Sequence, residues 1–163
     1  MKKYELTDDT ITVGGRILHR IKALKSFSDV EEGDLGGYVE KEDNLDHSGE
    51  AWVSGNARVY GNAWVYGDAW VYGNARVSGD ARVSGDARVS GENDYAAAKG
   101  FGREYRTTTF FRLQDGGIGV RCGCFCGTLE EFREKVKETH KESKMGKEYL
   151  MLADLMEYKF KNA

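Results

Sequence analysis

The residues with the plainest capacity for chemistry are three closely spaced cysteines, Cys122, Cys124 and Cys126. If this segment is a single strand, alternation places all three thiols on one face. A zinc site needs four ligands and usually a C-x2-C spacing, and only His140 lies near in sequence. The spacing favours small buried side chains, with a redox-active thiol as the alternative. No metal site and no cofactor is predicted.

The histidines are the candidate general bases, and they are His19, His47 and His140. A catalytic imidazole needs a reacting partner within hydrogen-bond reach. No pattern of nucleophile and base surrounds any of the three, and His47 takes the place of a core residue in the repeat described below. We therefore predict no catalytic residue, and the sequence leans against an enzyme.

Polar side chains in the C-terminal third are better suited to binding an anion. Arg112 and Arg121 lie on adjacent predicted strands, and Thr128 precedes a predicted helix whose first N–H groups attract negative charge. The alternative is a set of solvated arginines paired with Glu130 and Glu131. The candidate ligand-binding residues in this third are Arg103, Arg106, Arg112, Arg121 and Thr128.

The element that must position these residues is a six-residue repeat. From Gly49 to Ser90 the unit Gly-(Asn/Asp/Glu)-Ala-(Trp/Arg)-Val-(Tyr/Ser) occurs seven times without insertion. Ala and Val, two apart, point to one side of a short strand. The Gly-Asn or Gly-Asp pair suits a corner, since both residue types tolerate positive φ. The repeat predicts a β-solenoid with three hexads per triangular coil and with Asn and Asp side chains stacked in ladders at its corners.

The outward positions of the repeat carry aromatic and arginine side chains. Three hexads per coil place Trp52 and Trp70 on one face, and Trp64 and Arg82 on another. An exposed aromatic surface is normally covered, so it predicts either a homo-oligomer interface or cover by the terminal segments. The other interpretation is a ligand platform in which Trp64, Trp70 and Arg82 stack on a planar ring. The candidate interface residues are Trp52, Tyr60, Trp64, Tyr66, Trp70 and Tyr72.

The segments on either side of the repeat have their own patterns. Residues 4–25 alternate around Gly14-Gly15, which predicts a β-hairpin that caps the open first coil. Strands are predicted over Thr107–Leu113 and Ile118–Cys122, a capped helix after Thr128, and a second helix over Lys144–Tyr158.

The expected fold class is mainly β. It comprises an N-terminal β cap over residues 1–36, a hexapeptide-repeat β-helix over 37–93, and an α+β domain over 94–163 that holds one hairpin and two helices. The chain contains no proline, as suits coils joined by continuous backbone hydrogen bonds.

The repeat resembles the hexapeptide-repeat proteins, whose left-handed β-helix is best known from acyltransferases. The lead-in from Ala23 to Leu45 resembles that of phage and prophage members. The C-terminal module resembles a small terminal domain of phage-encoded repeat proteins through Thr107–Phe111, Asp115-Gly116, Cys122–Phe125, Gly127–Phe132 and Val136. The resemblance implies a phage origin and a left-handed solenoid. The chain departs from it by having Tyr or Ser after each valine, and Lys141-Glu142-Ser143 in place of Gly-Asp-Asn.

Composition narrows the function classes. The chain has 163 residues with a net charge of −3, which argues against a nucleic-acid binder. No apolar run is long enough for a membrane span or a signal peptide, so we expect a cytoplasmic protein, in the host cell if it is phage-encoded. The predicted function is a non-catalytic, phage-encoded binding protein that counters host defence, by sequestering a nucleotide-like immune signal or blocking a host defence protein. The alternatives are a hexapeptide-type acyltransferase and a structural spacer. A homo-oligomer is expected, with a trimer preferred.

Overall fold

The structure, a computed structural model, describes residues 2–161. The strands, in chain order, are β1 (Tyr4–Val13), β2 (Arg16–Ala23), β3 (Leu35–Val39), β4 (Trp52–Val53), β5 (Arg58–Val59), β6 (Trp64–Val65), β7 (Trp70–Val71), β8 (Arg76–Val77), β9 (Arg82–Val83), β10 (Arg88–Val89), β11 (Tyr95–Phe101), β12 (Arg106–Arg112), β13 (Ile118–Cys122) and β14 (Phe125–Thr128). The helices are α1 (Leu129–His140) and α2 (Lys144–Lys161).

The repeat forms a β-solenoid, as predicted. Within the seven hexads the short strands pair in parallel with strands 18 residues away, and β3 pairs with β5 at a spacing of 20 residues. As a result β4, β7 and β10 form one face, β3, β5 and β8 a second, and β6 and β9 a third. The alanines and valines of all seven hexads are at most 1% exposed and fill the interior. The glycine corners are closely stacked: Gly49 has a φ of 69°, and a Cβ there would lie 2.5 Å from the carbonyl oxygen of Gly67.

The predicted N-terminal hairpin is confirmed. β1 and β2 pair in antiparallel around Gly14-Gly15, and β2 continues the second face by pairing with β3. The ammonium of Lys3, which is fully buried, donates to the carbonyl oxygens of Ala51 at 2.6 Å and Gly49 at 3.4 Å. A residue just outside the hairpin therefore supplies donors to the open edge of the first coil.

The C-terminal part contains more strands than the sequence predicts. β12 and β13 form the predicted hairpin, and β11 and β14 extend it into a four-stranded antiparallel sheet in the order β11-β12-β13-β14. Phe110 packs with the two helices, whereas its neighbour Phe111 joins the solenoid core. One strand thus closes the last coil with one face and supports α1 and α2 with the other.

The predicted capping box at the start of α1 is confirmed. The hydroxyl of Thr128 accepts a hydrogen bond from the Glu131 amide at 3.2 Å, and the Glu131 carboxylate accepts one from the Thr128 amide at 3.0 Å. Within residues 2–161, neither helix combines the length and hydrophobicity that a membrane crossing requires.

Replacement of Lys3 tests the N-terminal cap through its pH dependence. Burial lowers the pKa of Lys3 from 10.5 to about 8. Between these values the folded protein has lost a proton that the unfolded chain retains, so the free energy of unfolding rises with pH. We expect Lys3→Met to be less stable at pH 9 by about 1–3 kcal/mol, because Ala51 and Gly49 lose a donor. The gap from wild type should widen by about 1 kcal/mol per pH unit above pH 8. The measurement is urea denaturation across this pH range. Parallel pH profiles for the two proteins would show that Lys3 does not titrate there.

Candidate functional site

Two adjoining cavities form one groove beside the third face of the solenoid. The first, of about 700 Å³, lies between this face and the lead-in segment, and the second, of about 540 Å³, lies between the same face and the C-terminal sheet. They share Asn62 and Arg82. The groove is lined by Lys2, Lys41, Glu42, Asp43, Leu45, Asp46, His47, Asn62, Ala63, Trp64, Asp80, Arg82, Lys99, Arg106, Thr107, Arg121, Gly123 and Cys124.

A ladder of polar side chains runs along a corner of the solenoid in the groove. Lys41 donates to the Asn62 side-chain oxygen at 3.4 Å, the Asn62 amide donates to Asp80 at 3.3 Å, and Asp80 accepts from Lys99 at 3.0 Å. The hydrogen bonds from Lys99 and Asn62 lower the pKa of Asp80. The ladder connects the lead-in, two solenoid coils and β11, and its carboxylate is ionised at neutral pH.

Trp64 and Arg121 line the groove, and both contact the ring of Tyr66, which lies beside it. The rings of Trp64 and Tyr66 are 3.9 Å apart and 23° from parallel, and the Arg121 guanidinium lies 5.6 Å from the Tyr66 ring. The Tyr66 hydroxyl and Arg121 Nε are buried and have no hydrogen-bond partner among the described residues. These contacts therefore bring together two polar atoms that the described part of the protein leaves unsatisfied.

The basic residues of the groove differ in their partners. Lys99 is paired with Asp80 at 3.0 Å, and Arg106 with Glu104 at 3.3 Å. Across residues 2–161, Arg82 and Arg121 form no ion pair. Two guanidinium groups in the groove thus take part in no ion pair with the described side chains.

The structure brings together only part of the predicted ligand-binding set. Trp64, Arg82, Arg106 and Arg121 line the groove. Arg103 lines a separate, smaller cavity near His140 and Tyr149 that also reaches Arg106.

Three other residues of that set lie elsewhere. Arg112 donates to Asp94 at 3.0 Å and to the Phe160 carbonyl at 3.0 Å, Thr128 caps α1, and Trp70 lies on the first face of the solenoid. The structure does not bring Arg112 and Arg121 together, because Arg112 binds Asp94 whereas Arg121 lies against the Tyr66 ring.

The aromatic surface is smaller than the repeat suggests. Trp52 is only 2% exposed, since Phe27 and Tyr4 cover it at ring distances of 5.3 and 6.4 Å. Of the two alternatives for the aromatic surface, the structure shows cover by the N-terminal segment for Trp52 and not the exposure that an oligomer interface needs. Trp64, Trp70, Tyr60 and Tyr66 are half-buried, and Tyr72 is 38% exposed.

The cysteines do not lie on one strand. Cys122 ends β13 and Cys126 belongs to β14, because the chain turns between them. Cys122 accepts a hydrogen bond from the Thr108 hydroxyl at 3.2 Å, whereas Cys124 and Cys126 are exposed. The prediction of three buried thiols on one strand is wrong. Within residues 2–161, no cluster of His, Cys, Asp and Glu side chains is arranged to hold a metal ion.

His47 belongs to the N-terminal cap. Its Nδ1 accepts a hydrogen bond from the Lys3 amide at 3.1 Å, its ring stacks on Tyr4 at 4.2 Å, and its Nε2 lies 3.4 Å from Glu42. These contacts hold the lead-in against the first coil.

Sequence reasoning missed several residues of the groove as site residues. Asn62 and Asp80 occupy the corner position for which the repeat predicts stacked ladders, so a signal for them was present. Lys99 and Asp43 carry no such signal. Their place in the groove depends on how the segments on either side of the repeat fold back against the third face.

Comparison with known families supports the solenoid. Residues 51–67 and 69–83 match the model of the YdcK beta-solenoid repeat family. The match lies within the repeat and covers neither the lead-in nor the C-terminal sheet. A comparison with curated proteins gives no match.

Paired tyrosine replacements test the unsatisfied hydroxyl of Tyr66 beside the groove. Tyr66→Phe removes a buried hydroxyl without a partner, so we expect the free energy of unfolding to stay the same or rise by up to about 1 kcal/mol. Tyr4→Phe is the matched control, because the Tyr4 hydroxyl donates to the Leu45 carbonyl at 2.6 Å and its loss should cost about 1 kcal/mol or more. Chemical denaturation of both variants gives the comparison. A loss at Tyr66 as large as that at Tyr4 would show that the Tyr66 hydroxyl is satisfied in solution.

Proposed function

We propose that this protein is a non-catalytic binding protein that sequesters a small nucleotide-like ligand in the groove. The observation that carries the proposal is the pair of guanidinium groups without acidic partners, Arg82 and Arg121, in a groove that also contains Trp64. Positive charge and an aromatic ring side by side suit a ligand with an anionic group and a planar ring.

The charged group of the ligand is assigned to the C-terminal end of the groove. Guanidinium groups bind phosphate through two parallel hydrogen bonds, and this geometry favours arginine over lysine. Arg121 and Arg106 reach this end from β13 and β12, and Arg82 from the third face. The unsatisfied Nε of Arg121 is a further donor, and a small shift of the side chain would offer it to a phosphate oxygen.

The planar group is assigned to Trp64. Tyr66 stacks on Trp64 and fixes the indole, so little side-chain entropy remains to be lost when a base binds. Stacking on an aromatic side chain tolerates any base and stabilises each by about 1–3 kcal/mol. In this proposal Trp64 therefore binds the planar base of the ligand, and the guanidinium groups bind its phosphate.

The wider setting of the function rests on resemblance. We propose a phage-encoded protein that counters host defence in the host cytoplasm, with the nucleotide-like ligand as an immune signal. A left-handed solenoid, the three-part division at residues 36 and 93, and a trimer belong to the same proposal. The half-buried Trp70 and Tyr60 and the more exposed Tyr72 are the candidate side chains for contact between copies.

Substitution of the unpaired arginine tests the groove directly. We expect AMP or GMP to bind to the wild-type protein and to change its tryptophan fluorescence. Arg82→Ala should weaken binding at least tenfold, because a charge-assisted contact to phosphate is lost. Arg88→Ala is the matched control, since Arg88 lies on the first face and donates to the Asp68 carbonyl at 3.0 Å. Titration calorimetry gives the affinities. Equal losses in the two variants, or no binding of either nucleotide, would overturn the proposed site.

Material that co-purifies with the protein tests sequestration. Denaturation should release a compound that absorbs near 260 nm, and mass spectrometry of the supernatant should identify its class. AMP or GMP incubated with the protein should be recovered chemically unchanged, because the proposal includes no reaction. Conversion of the nucleotide would show an enzyme instead.

A further inference from the structure

The two ends of the groove differ in their charge balance. At the C-terminal end four cationic side chains, Arg82, Lys99, Arg106 and Arg121, line the groove with a single carboxylate, that of Asp80. At the other end the lining contains three carboxylates, Glu42, Asp43 and Asp46, together with Lys2, Lys41 and the shared Arg82. A groove with this polarity distinguishes one end of its ligand from the other.

The carboxylates at the acidic end are not equally available. Glu42 is paired with Lys2 at 3.0 Å, and this contact lowers its pKa. Asp46 accepts hydrogen bonds from the Ser48 amide at 3.3 Å and from its hydroxyl at 2.9 Å. Asp43 is exposed, and its carboxylate makes no hydrogen bond or ion pair within residues 2–161. Asp43 is therefore the free acceptor of this end.

The centre of the groove is aromatic and polar. Trp64 and Arg82 lie side by side on adjacent coils, and Leu45 bridges to Val65 one coil earlier. Neighbouring strands lie about 4.8 Å apart, so the backbone positions of Leu45 and Arg82, two strands apart on this face, are separated by about 10 Å. Asn62 and Asp80 lie along the same stretch and offer an amide and a carboxylate to sugar hydroxyls.

We infer that the groove binds a 5′-nucleotide in a single orientation and selects bases that carry an amino group. The phosphate lies at Arg82, Arg106 and Arg121, the base lies on Trp64, and an amino group of the base donates to Asp43. This inference rests on the proposed function and adds its orientation and base preference. A carboxylate only accepts hydrogen bonds, so it favours a base with N–H donors at that edge. A site that hydrogen-bonds one group of a ligand binds the analogue without that group less well.

Two pairs of nucleotides that differ by one amino group test the base preference. GMP differs from IMP by the 2-amino group, and AMP differs from purine riboside 5′-monophosphate by the 6-amino group. Titration calorimetry with the full-length protein should show the amino form binding at least fivefold more tightly in one or both pairs.

Asp43→Ala should bring the two members of the affected pair to within twofold of each other and leave the affinity for the form without the amino group unchanged or higher. Asp29→Ala is the matched control, because Asp29 is exposed, lies outside the groove and carries the same charge. It should preserve the preference.

The outcomes separate this inference from the proposed function. Equal affinities within both pairs for the wild-type protein, with Arg82→Ala still weakening all four nucleotides, would overturn the base preference and leave the groove as a nucleotide site. A preference that survives Asp43→Ala would overturn the assignment of Asp43. Absence of binding for all four nucleotides would overturn the proposed function itself.

Discussion

The hydrogen-bond ladder between coils is the constraint on which the rest of the structure depends, because it runs in one direction. Each coil donates its N–H groups to the carbonyl groups of the next, as from Trp64 to Ala81 at 2.9 Å. The first coil is therefore left with free carbonyls and the last coil with free N–H groups. Two side-chain donors cap the first coil. They are the Lys3 ammonium and the side-chain amide of Asn44, which donates to the Ala63 carbonyl at 2.8 Å. Acceptor oxygens cap the last coil: the Thr109 hydroxyl accepts from the Arg82 amide at 3.0 Å, and Asp94 accepts from the Ser90 amide at 2.8 Å.

The groove follows from this capping. Because Thr109 binds the backbone of Arg82, β12 lies across the last coil, and its neighbours β13 and β14 extend past the third face. That position places Arg121 against the Tyr66 ring and Cys126 near Ser84. At the other end, the Asn44 amide that caps the first coil holds the lead-in turn beside Trp64. The residues that satisfy the two ends of the solenoid thus also bring the two walls of the groove into place, and neither wall is present in the repeat alone.

The sequence predicts what is local and periodic. A six-residue period with Ala and Val two apart specifies the solenoid core. Gly14-Gly15 specifies the turn of the N-terminal hairpin, and the Thr128 capping box specifies the start of α1. It does not predict β11, because Ala96, Ala97 and Ala98 have weak strand propensity and become a strand only by pairing with β12. It does not predict which tryptophan is covered, because every tryptophan of the repeat points outward from the solenoid and only the fold of the N-terminal segment brings Tyr4 and Phe27 onto Trp52. The sequence does not predict the groove either, since its lining comes from segments far apart in the chain.

The charge of the whole chain and the charges in the groove both bear on the size of the ligand. The net charge of −3 argues against a polyanion as ligand, and the distribution of charged residues in the groove argues the same way. A nucleic-acid strand needs a continuous basic track along its backbone. Here the carboxylates Glu42, Asp43 and Asp46 interrupt the basic residues of the groove. In the proposed binding mode Asp43 accepts from the base of a mononucleotide, and the mixed charge around it offers the backbone of a longer strand no continuous basic track. The arrangement favours a ligand with one charged end over a longer anion of the same chemistry.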